Sequence, residues 1–302
     1  TIDVAFPVVH GTNVEDGTLQ GFLELHDLPY VGPDVTSSAA GMDKWVMKCL
    51  LQGAGLPVLP GYCFQSSSYY VDPDAMVEKL ESMIGYPMIV KPVNLGSSVG
   101  ISKAADAASL REAIELAASF AQRILIEPMI VSLKEINCAV LGDYEQTRAS
   151  ACEEPISAGE ILSYQDKYQS EGAKYSSGAA GGSKGMGGAK RKLPADIPAE
   201  TEAYIKELAQ KAFLAMNCSG VTRIDFLMDM ENGQIYINEL NTIPGSLSFY
   251  LWEAVGLSFS ELIDELIRLA LKRERQRKTL IWSNETNILA GFKGGGLKGS
   301  KV

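Results

Sequence analysis

The chain lacks several features that would assign it to a common functional class. Its five cysteines form no CxxC pair, which predicts free thiols in a reducing compartment and hence a cytoplasmic protein. Basic charge is deficient: the net charge is −10, so no basic field could recruit nucleic acid. Apolar runs are too short to span a membrane, and the N-terminus has no signal-peptide pattern. We therefore expect no nucleic-acid or membrane partner.

Two common nucleotide-binding motifs are also absent, since there is no GxxxxGK[ST] and no helix-opening GxGxxG. A different anion-binding candidate follows the apolar strand that ends at Lys91. The next residues form a loop that contains Gly96, Ser97, Ser98 and Gly100. Backbone N–H groups and two hydroxyls of such a loop can face an anion, while Lys91 supplies a positive charge. An ordinary turn is the alternative interpretation.

The most informative pattern lies in two strands that flank the hairpin turn Asn232-Gly233. Side chains two residues apart share a face of a strand, so Arg223 points with Asp225. On the second strand, Glu239 points with Asn241 for the same reason. If the two faces coincide, two carboxylates meet and repel each other unless a cation lies between them. Such oxygen ligands suit Mg²⁺, which accompanies phosphate; scattered surface charges are the alternative.

Several motifs follow one another in a defined order along the chain. They are His10-Gly11, Glu15-Asp16-Gly17-Thr18-Leu19-Gln20-Gly21, Pro29-Tyr30-Val31-Gly32, Met42-Asp43-Lys44, Lys91-Pro92, Gly96-Ser97-Ser98-Val99-Gly100, Asp166-Lys167-Tyr168, Arg223-Ile224-Asp225 and Asn238-Glu239-Leu240-Asn241-Thr242-Ile243-Pro244-Gly245. In this order they resemble the ATP-grasp ligases, and within them the D-alanine–D-alanine ligases. The resemblance implies an α/β protein of the α+β ATP-grasp class. It divides the chain into the remnant of a parallel N-terminal lobe at 1–42, a small central lobe at 43–128 and a C-terminal lobe at 129–302.

The resemblance implies an ATP-dependent ligase that joins two D-alanine molecules through an acyl-phosphate, for peptidoglycan precursor synthesis. It assigns two Mg²⁺ ions, or Mn²⁺, to Asp225, Glu239 and Asn241. It assigns ATP to Lys44, Lys91, Ser98, Glu127, Glu135 and Lys167. In these roles Lys44 and Lys91 contact phosphates, and Lys167 approaches the transferred group. Glu127 lies at the adenine-side hinge, and Glu135 meets the ribose.

The resemblance also implies catalytic and substrate-binding residues. The catalytic set is Arg223, Ser97, Tyr168 and Gly245, and the substrate-binding set is His10, Glu15, Ser246 and Tyr250. Arg223 and the Gly245 N–H would stabilise an oxyanion. Tyr250 is a departure, because the family often has a serine there that holds the carboxylate of the second substrate. Either Ser246 or Ser248 substitutes, or the second substrate differs.

Three further expectations concern the ends and one loop of the chain. Residues 163–189, rich in Gly, Ala and Ser, match the omega loop that closes over ATP in the family, with a solvated linker as the alternative. Residues 293–302 predict a flexible tail. Residues 2–10 predict a buried strand that falls inside the family's N-terminal lobe, so the first part of that lobe is expected to be absent.

Two other functions stay open. One is a different ATP-grasp carboxylate–amine ligase, which would keep the Mg²⁺ and phosphate residues but not His10, Glu15 and Tyr168. The other, which the expected absence favours, is a truncated remnant that binds nucleotide without turnover. The family's dimers predict a homodimer.

Local patterns predict the remaining elements. Asp43 is a good N-cap for a helix that continues to about Ala54, and other helices are predicted after Asp72-Pro73 and Asp106. Further helices are predicted at residues 199–216 and 258–277. Strands are predicted around Tyr62 and at residues 88–91, 123–126, 135–141 and 147–150.

Overall fold

Two antiparallel sheets contain the named strands of this computed structural model, which describes residues 2–96, 99–156 and 191–281. The strands are β1 (Tyr62–Gln65), β2 (Met88–Pro92), β3 (Ser102–Ala104), β4 (Arg123–Pro128), β5 (Leu133–Gly142), β6 (Thr147–Pro155), β7 (Arg191–Lys192), β8 (Gly220–Asp229) and β9 (Ile235–Asn241). The helices are α1 (Thr18–Leu25), α2 (Val35–Met42), α3 (Lys44–Gly53), α4 (Ser66–Val71), α5 (Pro73–Met83), α6 (Ala107–Ala118), α7 (Ala199–Ala215), α8 (Phe249–Glu253) and α9 (Phe259–Arg277).

Short polar side chains cap the helices where the sequence predicts them. The Asp43 carboxylate accepts the N–H groups of Trp45 and Val46, which starts α3. Asp72 caps α5, and Asp106 forms a reciprocal capping box at α6. The predicted starts of these three helices are therefore confirmed.

The smaller sheet has the strand order β1-β4-β2-β3. Helices α5 and α6 bury apolar side chains against it, including Leu80, Leu110 and Ile114. The three-residue strand β3 is absent from the sequence-based prediction, because so short a segment shows no readable alternation. This sheet presents Lys91 on β2 and Glu127 on β4.

The larger sheet has the order β7-β6-β5-β8-β9 and is covered on both faces. Helix α7 buries Phe213 in one core, and Met47 of α3 joins that core. On the other side, Trp252 of α8 and Leu266 of α9 form a second core. The predicted hairpin is confirmed: Gly233 adopts a φ of 73°, and the Asp229 N–H donates to the Gln234 carbonyl at 2.9 Å.

The prediction of a buried strand at residues 2–10 is wrong. Only Ala5 forms a bridge there, parallel to Tyr30, and Ile2 is 63% exposed. A strand requires a continuous hydrogen-bonded ladder, and a single bridge does not provide one. Tyr30, the partner of Ala5 in this bridge, is in turn joined to α9, where Arg273 donates to the carbonyls of Tyr30 and Gly32 at 2.7 and 2.6 Å.

No helix within the described ranges is both long and apolar enough to cross a membrane.

Candidate active site

Strands β8 and β9 bring the predicted polar residues together. Asp225 is the register partner of Glu239, and Arg223 is the partner of Asn241. Directly opposed residues of antiparallel strands place their side chains on the same face. The expectation that the two polar faces coincide is therefore confirmed.

Asp225 is the most heavily bonded carboxylate of this group. Arg223 donates to both of its oxygens at 2.7 Å, and Asn241 Nδ2 donates to Oδ2 at 3.0 Å. Burial nevertheless raises the pKa of Asp225 to about 6, against the opposing effect of Arg223. The carboxylate is thus held in a fixed position while its negative charge remains only partly stabilised.

Lys44 connects the hairpin to helix α3. It is the first residue of α3, and its Nζ lies 3.5 Å from Glu239 Oε2 and donates to the Leu95 carbonyl at 2.8 Å. Burial disfavours the charged form of Glu239, but Lys44 and then Lys91 outweigh burial and hold its pKa below the ordinary value. A positive side chain thus faces the carboxylates at the start of a helix, where the helix dipole also favours an anion.

A buried ion triad lies beside this group. Glu127, only 1% exposed, has its Oε2 2.6 Å from Lys91 Nζ, and its Oε1 pairs closely with Lys48. Lys91 also donates to Asn238 Oδ1 at 3.3 Å. Burial disfavours the Glu127 charge, but the ammonium groups of Lys91 and Lys48 outweigh it and keep its pKa low. The carboxylate of Glu127 is therefore engaged by two lysines, and its adenine-side role stays a prediction.

Lys48 was missed by the sequence-based prediction, although a signal existed. It lies four residues after Lys44 on α3, so the two lysines share one face of the helix. Burial lowers the pKa of Lys48, against the opposing charge of Glu127. A second lysine on that face indicated a second anionic partner.

The polar face continues across the larger sheet beyond the hairpin. Asn137 of β5 is the register partner of both Asp225 and Glu153. Glu153, Asn137, Asp225 and Glu239 therefore form one row across β6, β5, β8 and β9, which we name the polar row. Glu153 lies two strands from Asp225, and because neighbouring strands are roughly 4.8 Å apart, the backbones of these two residues are roughly 10 Å apart. Glu135, on β5, shares the face of Asn137, as its predicted ribose contact would require.

Tyr250 closes the far end of the polar row. Its hydroxyl donates to Glu153 Oε1 at 2.9 Å, and the Arg191 guanidinium lies 4.2 Å from the centre of its ring. Arg191 Nη1 is also 3.3 Å from Glu153 Oε2. The sequence indicated only that residues 190–192 were basic; the pairing of Arg191 with Glu153 and Tyr250 required the fold.

The other predicted substrate residues lie in less enclosed positions. The His10 ring is half-exposed, with Nδ1 3.8 Å from Glu15 Oε1, and Glu15 accepts the Gly11 N–H at 2.5 Å. Ser246, with a φ of 51°, borders an apolar cavity of about 600 Å³. It follows Gly245 at the start of the 3₁₀ turn Gly245–Ser248.

Some predictions fall outside the described residues. These are Ser97, Ser98, Lys167 and Tyr168, together with the loop 163–189 and the tail 293–302. Within the described ranges, no group of three His, Cys, Asp or Glu side chains could hold a metal ion. The donor set at the hairpin is instead two carboxylates and one amide.

Two family models and a known relative match this chain along most of its length. The family model for the D-ala D-ala ligase C-terminus matches residues 50–268, and the model for the D-ala D-ala ligase N-terminus matches residues 1–33. A D-alanine–D-alanine ligase of Acetivibrio thermocellus is 44% identical over 276 residues, which are 90% of this chain and 69% of the relative. The similarity therefore extends over both sheets.

Two solved structures are similar as well. The D-alanine–D-alanine ligase from Coxiella burnetii has a TM-score of 0.74 and 31% identity, covering 92% of this chain and 72% of its own. The VanG D-Ala:D-Ser ligase from Enterococcus faecalis also has a TM-score of 0.74, with 35% identity, covering 89% of this chain and 73% of its own.

Proposed function

Because this chain belongs to the D-alanine–D-alanine ligase family, with the ATP-grasp fold of its neighbours, we propose that its polar row carries an ATP-dependent ligation of two D-alanine molecules. The product would serve peptidoglycan precursor synthesis. The carboxylate of the first D-alanine attacks the γ-phosphate of ATP, which yields an acyl-phosphate and ADP. The amine of the second amino acid then attacks the acyl carbon, and phosphate leaves as the amine loses a proton. The opposed pair of Asp225 and Glu239, with Lys44 3.5 Å from Glu239, is the observation that carries the proposal.

The lysines form the phosphate end of the proposed site. Phosphoryl transfer needs positioning and neutralisation of charge more than covalent participation by the enzyme. Lys44 and Lys91 are both largely buried, and each already pairs with a carboxylate. The ammonium groups that would bind an incoming phosphate are therefore already fixed in position. That of Lys44 lies at the first turn of a helix.

The residues at the hairpin fit a divalent cation. Two carboxylates face each other across paired strands, and burial raises the pKa of Asp225, so a cation would relieve a cost that exists without it. Asp225, Glu239 and Asn241 would hold Mg²⁺, for which oxygen ligands are suitable; two ions, and Mn²⁺ in their place, belong to the same proposal. The bound metal would neutralise phosphate charge.

Arg223 would act in the second half of the reaction. Its guanidinium is fixed by two contacts with Asp225 and lies on the face of the polar row. Together with the N–H of Gly245, it would stabilise the negative charge that develops on the acyl oxygen when the amine adds. A donor that is already positioned requires no reorganisation at that moment.

The substrates are assigned to the two sides of this centre. His10 and Glu15 would contact the first amino acid, and Tyr250 and Ser246 the second. Tyr250 lies at the end of the polar row opposite to Lys44, which supports an approach of the amine from that side. Whether D-serine or another amine replaces D-alanine as second substrate depends on these two residues.

The remaining assignments are proposals of the same kind. Glu127, Glu135, Ser98 and Lys167 would complete the ATP site, and Ser97 and Tyr168 would bond across it. The requirement for ATP and the five free cysteines support a cytoplasmic location. The homodimer and the division of the chain at residues 42 and 128 likewise stay predictions.

The test is release of phosphate from ATP by the purified chain, with and without D-alanine, together with detection of the dipeptide. Phosphate release that depends on D-alanine and equals the dipeptide formed is the expected result. Phosphate release with another amino acid alone would favour a different carboxylate–amine ligase. ATP binding without turnover under any condition would favour the nucleotide-binding remnant.

A further inference from the structure

Glu153 lies at the end of the polar row that is farthest from the phosphate-binding lysines. Its side chain is only 5% exposed, although it carries a charge. Buried carboxylates are rare unless donors surround them. Here Oε1 accepts from Asn137 Nδ2 at 3.0 Å and from the Tyr250 hydroxyl at 2.9 Å, while Arg191 lies 3.3 Å from Oε2. Both oxygens are therefore committed to protein groups, so Glu153 itself is not positioned to bind a substrate.

The contact with Glu153 fixes the role of the Tyr250 hydroxyl. A phenol has one proton to donate, and here it points to Glu153. Burial and then the Glu153 charge raise the pKa of Tyr250 to about 12, so the phenol keeps its proton at neutral pH. The hydroxyl can consequently offer only its lone pairs toward the site. It can accept a hydrogen bond from an amino group, but it cannot donate one to a carboxylate.

Tyr250 is also close to the centre where the amine would react. Its hydroxyl bonds Glu153, and Asn137, which donates to Glu153, is the register partner of the carboxylate held by Arg223. Arg223 also opposes the rise in the pKa of Tyr250. The lysines and the hairpin carboxylates occupy the other end of the row. The second amino acid therefore has its approach from the side of Tyr250.

We propose that Glu153 is a positioning residue that makes Tyr250 a hydrogen-bond acceptor for the amino group of the second amino acid. This inference rests on the proposed function. Because the Tyr250 oxygen accepts from the amino group, the carboxylate of the second amino acid must be bound by other residues. Arg191 supports the arrangement by balancing the charge of Glu153 and by packing on the Tyr250 ring. Tyr250 thus binds the amino end of the second substrate, whereas the serine that the family often has at this position binds the carboxylate end.

The test compares Glu153→Gln, Tyr250→Phe and the double variant with the unchanged chain. Glu154→Gln is the matched control, because Glu154 is the next residue of β6 and pairs with Lys134 and Lys192 instead. Dipeptide formation is measured against D-alanine concentration. Positional exchange of ¹⁸O within labelled ATP reports acyl-phosphate formation, which needs only the first amino acid.

We expect each single variant to raise the half-saturating concentration of the second D-alanine by roughly tenfold or more, because one hydrogen bond to a charged group is lost. The KM for ATP and the isotope exchange should change less than about threefold, and Glu154→Gln should resemble the unchanged chain. The double variant should be no worse than Tyr250→Phe alone, since both changes remove one interaction.

Three results would overturn the inference. They are additive effects of the two variants, an equal effect of Glu154→Gln, and a parallel loss of isotope exchange. If Glu153→Gln fails to fold, as thermal unfolding would reveal, Tyr250→Phe decides alone, because it keeps the ring that packs on Arg191. An unchanged saturation curve in that variant refutes the idea. A chain that forms no dipeptide at all would instead refute the proposed function.

Discussion

Replacing Glu127 by glutamine would leave two buried ammonium groups without their shared counter-charge. The side chains of Glu127, Lys48 and Lys91 are 1%, 4% and 10% exposed, so water can do little to compensate. Breaking a buried ion pair by removing one partner costs about 3–5 kcal/mol. Some of this cost is recovered, because the amide oxygen can still accept from one lysine. We expect a loss of roughly 3 kcal/mol in the free energy of unfolding.

The measurement is urea unfolding followed by circular dichroism. Because the fold lowers the pKa of Glu127, its contribution is fully present above its unfolded value near 4.5 and is lost as the pH falls through the folded value. The difference between the variant and the unchanged chain should therefore persist at neutral pH and shrink in acid. Adding Lys48→Met to Glu127→Gln removes one of the unpaired charges and should recover part of the lost stability.

Glu112→Gln serves as the control, because Glu112 is an exposed residue of α6. It should leave the free energy of unfolding unchanged. A Glu127→Gln variant as stable as this control would refute the reasoning, since it would mean that water already solvates the triad. A double variant less stable than Glu127→Gln alone would show that Lys48 contributes by packing and not by charge.

Three other predictions concern the proposed reaction. Glu239→Gln removes one anionic ligand, so Mg²⁺-dependent ATP binding should weaken while the fold survives; an unchanged Mg²⁺ requirement would contradict the metal assignment. Arg223→Lys keeps the charge beside Asp225 but loses the bidentate geometry, so dipeptide formation should fall by roughly a hundredfold with little change in ATP affinity. Equal losses of both would make Arg223 a phosphate ligand. The pKa of Asp225 is raised to about 6, so protons should compete with Mg²⁺ below that pH, and ATP affinity measured by calorimetry should fall between pH 7.5 and 5.

The sequence predicted well what depends on neighbouring residues. The hairpin at Asn232-Gly233 is a local signal, and a period of two then fixes which side chains of each strand share a face. Helix starts at Asp43 and Asp106 follow from a single side chain that bonds the first turn. The strand expected at residues 2–10 failed, because apolar composition does not supply the pairing partner that a strand needs.

The missed residues depend on contacts between distant parts of the chain. Glu153 and Asp225 are linked through Asn137, and only the order β6-β5-β8 makes them members of one row. Nothing in the sequence around Glu153 distinguishes it from its neighbour Glu154, although Glu153 faces the site and Glu154 pairs with Lys134 and Lys192. The order of the strands in the sheet therefore decides which residues form the row, and this order could not be predicted from the sequence.

Helix α3 contacts both sheets through two of its lysines. Lys44 reaches Glu239 of the larger sheet, and Lys48, one turn or about 6 Å further along, reaches Glu127 of the smaller sheet. Because Met47 anchors the same helix in the larger core, rotation of the smaller sheet would change the distance between Lys48 and Glu127. A phosphate bound by Lys44 and Lys91 would weaken the ion pairs of these lysines with Glu239 and Glu127, which belong to different sheets. Nucleotide affinity and the angle between the sheets are then linked: a nucleotide that favours one angle binds more tightly when the two sheets already adopt it.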